Sequence, residues 1–174
     1  MALMQARWSP SVTVAAIAHD GVADPAARRY LLVEERTPEG LKLNNPAGHL
    51  DPGETPEEGV VREALEETAR VFTPQSLVGV YLSRFVRPAR GEDVTYLRFA
   101  YAGPVGDVLP GRVLDEPIER TLWLTLDEIR AAHTHHRLRS DLVLRCLQDH
   151  AAGVTYPLAV VGHDGSLLAP VVKG

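Results

Sequence analysis

A helix start is written into this chain with little latitude. Thr55 and Glu58 form a capping box around Pro56, so a helix is expected to begin at Pro56. Two stretches rich in β-branched or aliphatic residues precede it, SVTVAAIA (Ser11 to Ala18) and RYLLVEER (Arg29 to Arg36), separated by the turn-rich HDGVADPA. After it, SLVGVYLSRF and VTYLRFAYAG make a second strand pair around the loop VRPARGED, and TLWLT reads as a further short strand. Thr125 with Glu128 marks another helix start, before LDEIRAAH. Ser140 can cap a last helix, in which Leu142, Val143, Cys146 and Leu147 recur at helical spacing. Strands, helix, strands, helices in this order predict a mixed α/β domain with helices packed on a central sheet. The Gly- and Pro-containing segment from Gly103 to Pro117 reads as a long surface loop, a kind of segment that often carries function.

The first helix contains VVREALEETA, Val60 to Ala69. At about 100° per residue, Glu66 and Glu67 fall within roughly 60° on either side of Glu63. Val61, Ala64, Leu65 and Thr68 cover much of the other side, so they are expected to form the buried face, with a carboxylate patch opposite. Like charges at these spacings cost about 0.2–0.5 kcal/mol per pair. They also stand late in the helix, where its dipole disfavours anions. Arg62 can pair with Glu66, but with the cation N-terminal to the anion, the weaker orientation. Helix propensity does not explain the arrangement. Two readings remain at this point: a solvated acidic face, or a patch neutralised by a hard divalent cation that takes oxygen ligands.

The preceding text, NNPAGHLDPGETPEEGV, favours the cation. Gly48, Pro52 and Gly53 are expected to make an irregular loop that runs straight into the capped helix, with Glu54 at its mouth. Gly48, Glu54, Arg62, Glu63, Glu66 and Glu67 fit the pattern G-x5-E-x7-R-E-U-x-E-E-x-G-U, where U is a bulky apolar residue. In this the chain resembles the Nudix hydrolases, with a box from 48 to 70. Three positions depart from the pattern: Ala69 stands in place of the last glycine, Arg70 takes an apolar slot, and Ala64 is small. That glycine would end the helix in a left-handed turn, so Ala69 puts the exit geometry at issue. No acidic position is altered. The order of VTVAAIA, LLVEER, YLRFAYAG, LWLTLDEI, LRSDLV and YPLAVVG extends the resemblance toward the NudJ phosphatase subfamily.

The resemblance implies a Nudix-type α/β/α sandwich with a mixed central sheet. It implies a metal-dependent phosphohydrolase that releases orthophosphate from nucleoside tri- and diphosphates, and from hydroxymethylpyrimidine diphosphate. Alternatives are a pyrophosphohydrolase releasing a monophosphate and pyrophosphate, or a catalytically silent nucleotide-sensing domain. Mg²⁺ is the expected cofactor, with Mn²⁺ as a substitute. Its expected ligands are Glu63, Glu66, Glu67 and the Gly48 carbonyl, with Glu119, four residues before Trp123, as a further carboxylate. Asp115 and Glu116 compete with Glu119 for that last role. Glu63 or Glu66 is expected to take the proton of the attacking water, and Arg62 to orient a glutamate.

Other residues carry weaker signals. Tyr96 and Arg98 lie on one side of their strand, and an arginine in so apolar a strand needs either a core carboxylate or a substrate phosphate. Arg36 ends the strand LLVEER, at a pocket mouth or simply at the surface. Arg36, Tyr96 and Arg98 are the expected substrate contacts. The run HTHH, His133 to His136, lacks a fourth metal ligand and reads as an exposed helix end.

A chain of 174 residues at 19.0 kDa is expected to form one domain, 1–174, whose C-terminal helix and tail occupy about 139–174. A net charge of -5 disfavours a nucleic-acid or membrane partner, though a bound cation can still recruit an anionic ligand. Cys146 is the one cysteine, which precludes an intrachain disulfide and favours a reducing, cytoplasmic setting. VTVAAIA is too short for a secretory signal, and no apolar run approaches the roughly 20 residues that cross a bilayer. The expected partner is a small nucleotide or diphosphate, and the expected state a monomer.

Overall fold

The aliphatic run from Val14 to Ala18 is closed from solvent on both faces of its strand, as a central strand between two helical layers requires. In a computed structural model of the chain, residues 8–169 are described; 1–7 and 170–174, the ends of the expected single domain, lie outside the described residues. The elements run β1 (Ser11–His19), β2 (Arg29–Thr37), β3 (Gly40–Asn44) and β4 (Ala47–His49), then α1 (Pro56–Thr68). They continue with β5 (Ser76–Arg87), β6 (Glu92–Pro104), β7 (Ile118–Thr125), α2 (Leu126–Thr134) and α3 (Asp141–Ala151).

The seven strands join in one sheet with a spine of β3-β2-β1-β6-β5, while β4 pairs with β1 and β7 with β2. The β1–β6 pair is parallel and the other pairs are antiparallel, so the sheet is mixed. Because side chains alternate along a strand, the central strands feed two cores. Val14, Ala16, Leu31 and Tyr101 pack with Val60 and Ala64 of α1. On the opposite face Ile17, Tyr30, Leu32 and Ala100 pack with Ile129 of α2 and Val143, Cys146 and Leu147 of α3. The result is the expected α/β/α sandwich.

Both capping boxes form as expected, at Thr55/Glu58 and at Thr125/Glu128. Ser140 occupies the N-cap position of α3 but its hydroxyl makes no capping bond, a correction to the expected cap. The face that α1 buries also differs from expectation. Val60, Ala64 and Thr68, spaced by one turn, are buried, whereas Val61 and Leu65 are only partly so. Two strands were not legible, β3 and β4, and the second overturns the expected loop at Gly48. Residues 47–49 pair with Thr13, Val14 and Ala15, so Gly48 sits on the rim of the sheet. Ala69 adopts the left-handed conformation (φ 54) that the missing glycine would have taken, and its N–H donates to the Leu65 carbonyl. The helix exit thus survives the substitution, at the strain a non-glycine residue bears there.

Near the end of β6, the segment after α1 is bound closely to the strand: Thr73 and Gln75 donate their N–H groups to Pro104 and Ala102 at 3.0 and 2.8 Å. A Cβ on Gly103 would lie 1.9 Å from the Thr73 carbonyl oxygen, a backbone atom that cannot swing aside. Gly103→Ala is therefore expected to destabilise the protein by about 1–3 kcal/mol. A urea titration should show a lower midpoint at unchanged slope. An unshifted midpoint would contradict the packing described here.

Candidate active site

The site grows from the contact between α1 and β4. A Cβ on Gly48 would stand 2.2 Å from the carboxyl carbon and from both oxygens of Glu63, so only a glycine allows this strand to meet that carboxylate. One turn further along α1, Glu67 Oε2 accepts the Ala47 N–H at 2.9 Å. Glu63 and Glu67 thus flank the buried stripe of α1 and face the sheet rim. Burial lifts the Glu67 pKa to about 8; the Ala47 N–H opposes the rise, and the negative charges of Glu63, Glu35 and Asp115 add to it. Burial raises Glu63 as well, against the pull of Arg62.

Arg62 gathers the remaining acids. Its Nη1 donates to Glu63 Oε1 at 2.8 Å and to Glu66 Oε2 at 3.1 Å. Its Nη2 donates to Glu54 Oε1 at 2.6 Å and to the His49 carbonyl at 2.9 Å. Glu54 is anchored in turn by the Asp51 N–H at 2.7 Å, and the Arg62 bond followed by this N–H holds its carboxyl below the usual range. One guanidinium therefore ties the loop after β4 to the helix and fixes where Glu54 and two of the three helix acids point.

Among the described residues, no three His, Cys, Asp or Glu side chains form a ready cage for an ion, and Arg62 holds Glu63 and Glu66. The donor set nevertheless suits a hard divalent ion. It consists of oxygens alone, it includes a largely buried carboxylate that no cationic side chain among the described residues hydrogen-bonds, and it lies where glycine has removed a side chain.

The other expected residues divide between places. Glu119 lies on β7 against Arg36 of β2, whose Nε donates to it at 2.9 Å; both are exposed, and Arg36 also engages it through Nη2. The structure thus brings Arg36 and Glu119 to each other and not into the acid cluster. Of the acids competing for the further carboxylate, it is Asp115 that bears on the box: its charge acts on Glu67 and its N–H donates to the Glu66 carbonyl at 3.1 Å. Tyr96 stands beside His49, ring centroids 6.3 Å apart. Arg98 lies opposite Thr13 and Tyr81, with its Nε and Nη1 sealed from solvent. Burial lowers its pKa, offset by Cys146, Glu35 and Glu67. Glu35, close to both Arg98 and Glu67, was missed; its one signal was a second glutamate in an otherwise aliphatic strand.

Cys146 is a buried thiol, pushed up to about 11 chiefly by burial. His133 pairs with Asp141 at 3.0 Å on the surface, as an exposed helix end would. No helix among the described residues is long and apolar enough to cross a membrane.

Comparison with known proteins identifies the family and the fold. The NUDIX domain family model matches residues 12–146. Phosphatase NudJ of Escherichia coli (strain K12) is 32% identical over 155 residues, 89% of this chain and 92% of that protein. The solved structure of a NUDIX hydrolase from Nitrosomonas europaea is 42% identical, with a TM-score of 0.75, covering 90% of this chain and 98% of that one. A MutT NUDIX hydrolase from Burkholderia pseudomallei, 24% identical with a TM-score of 0.57 over 82% of this chain and 98% of its own, shares the fold.

Proposed function

Because this chain belongs to the NUDIX family and is a hydrolase, we propose that it cleaves diphosphate linkages of nucleoside di- and triphosphates, and of hydroxymethylpyrimidine diphosphate, with release of orthophosphate. The observation that carries the proposal is the approach of Gly48 to Glu63 beside the largely buried Glu67. An ordinary acidic surface helix has no reason to draw carboxylates inward against a strand. The name of the 32% identical relative, a phosphatase, supports orthophosphate as the product.

NUDIX hydrolases generally use divalent metal ions; here Mg²⁺ is proposed, with Mn²⁺ able to replace it. Glu63, Glu66, Glu67 and the Gly48 carbonyl would hold the ion. When bound, it supplies charge neutralisation on the diphosphate and acidifies a water for in-line attack. The rest falls to the chain itself. Glu63 or Glu66 accepts the proton of the attacking water, and Arg62, already bonded to both, sets their direction. Glu54 acts through Arg62 as a positioning residue. Glu67 keeps its orientation through the Ala47 N–H.

The test is a panel of nucleotides and hydroxymethylpyrimidine diphosphate with Mg²⁺, assaying phosphate and pyrophosphate separately. Orthophosphate is expected. Pyrophosphate with a monophosphate would overturn the stated product, and tight nucleotide binding with no hydrolysis would mark a silent, sensing domain. The loop acids give a second prediction. Asp115→Asn should reduce turnover about tenfold or more, whereas Glu119→Gln, which loosens only an exposed pair with Arg36, should change it less than about threefold. The reverse ranking would return the further carboxylate to Glu119.

A further inference from the structure

Two departures from the box pattern stand side by side at the end of α1, and both meet the same segment of chain. Ala69 holds the left-handed turn (φ 54), and Arg70 fills a slot where the pattern has an apolar residue. A helix leaves its last carbonyls without partners of its own. Here the segment from Gly106 to Pro117 supplies them. The Asp115 N–H donates to the Glu66 carbonyl at 3.1 Å and the Leu109 N–H to the Ala69 carbonyl at 2.8 Å. Just past the helix, the Gly106 N–H donates to the Val71 carbonyl at 3.0 Å. Arg70 completes the set, its Nη1 donating to the Gly106 carbonyl at 2.8 Å.

Apolar burial does little to hold this segment: Val108, Leu109 and Val113 are exposed, the last at 89%. Hydrogen bonds to the end of α1 hold it instead, and the one from Arg70 is charge-assisted, hence among the stronger. The guanidinium is itself confined, its central carbon 6.0 Å from the centre of the Trp123 ring. Its Nε is sealed from solvent without a partner, a cost that a residue serving packing alone would not carry. A cation also suits this end of the helix, whose last turn holds acids and no base. Leucine in the slot could cover Trp123 but has no donor for Gly106.

Asp115 gives the arrangement its consequence. Its backbone is fixed to the box helix at Glu66, and its charge acts on Glu67. We infer that Arg70 is a positioning residue for the hydrolysis: it pins the segment 106–117 to the end of α1, so that the Asp115 carboxylate stays beside the box acids. The inference rests on the reading of those acids as the site of diphosphate hydrolysis.

Arg70→Leu and Arg70→Gln both remove the charged donor, so either can carry the test should the other fail to fold. Amide hydrogen exchange on the whole protein, without metal or substrate, reads the clamp directly. The Leu109 and Asp115 amides should exchange at least about tenfold faster in the variants than in the wild type. Turnover of the nucleotide panel with Mg²⁺ reads the consequence. Each variant should lower kcat by about 3–10-fold. In an Asp115→Asn background the same change should cost less than about twofold, because the group being positioned is gone. Unchanged exchange would overturn the inference, as would an unchanged kcat or a full further loss on top of Asp115→Asn. If the wild type hydrolyses no diphosphate, the catalytic reading falls. If it does and the variants match it, the clamp alone falls.

Discussion

Glu67→Gln is expected to lower metal-dependent turnover by at least about a hundredfold while leaving a folded protein that is more stable than the wild type at pH 8 in the absence of metal. Both halves follow from one fact. The carboxyl is largely buried, accepts the Ala47 N–H, and has its pKa pushed up to about 8 from an ordinary 4.5. Between those values the folded protein retains a proton that the unfolded chain has released. Stability without metal therefore falls as pH rises from about 4.5 towards about 8, and levels off above it. Glutamine keeps the oxygen that receives the Ala47 N–H and has no charge to bury, so the decline should be absent in the variant. Denaturant midpoints from pH 5 to pH 9, run beside a turnover assay, would check both at once. A wild-type midpoint flat across that range would contradict the burial, and full turnover in the variant would contradict the role.

Gly48→Ala is the second large effect, and it should separate activity from stability in the opposite sense to Gly103→Ala. The added methyl would lie 2.2 Å from the Glu63 carboxyl, but that group is the far end of a flexible side chain. Glu63 should swing away and lose its 2.8 Å bond to Arg62, while β4 remains paired to β1. Turnover should fall by about 10–100-fold at saturating substrate, with a melting temperature within a few degrees of the wild type's, a stability change of about 1 kcal/mol or less. An unfolded variant would mean that the strand cannot tolerate the side chain at all. Unchanged turnover would mean that Glu63 need not face Gly48.

The parts of the fold that local chemistry specifies were legible. Thr55–Pro56–Glu58 and Thr125–Glu128 are self-contained instructions, and the long aliphatic strands announce themselves by composition. β3 and β4 were not, because at 5 and 3 residues they carry too little pattern, and their pairing depends on strands distant in sequence. On the buried face of α1, Ala64 and Thr68 were legible but Val60 was not: Val60 and Val61 are equally apolar, and only docking on the sheet chooses between them. At the site, the spacing of Glu63, Glu66 and Glu67 placed the acids on one stretch of helix, but did not show the turn of Glu63 and Glu67 towards β4. Arg98 was conspicuous as a charge in an apolar strand. Its surroundings were not, since Thr13 and Glu35 approach it from other strands. Glu119 was judged from its distance to a tryptophan, whereas the β2–β7 pairing sets it against Arg36.

The proposed divalent ion would lie among Glu63, Glu66 and Glu67, where α1 meets β4. Anomalous diffraction from crystals grown with Mn²⁺ and a methylene diphosphate analogue tests this placement most directly. The expected result is a peak within about 2.3 Å of carboxylate oxygens of Glu63, Glu66 and Glu67, with the Arg62 bonds to Glu63 and Glu66 loosened. Crystals that show no peak there, with both glutamates still on Arg62 and the analogue bound elsewhere, would contradict it.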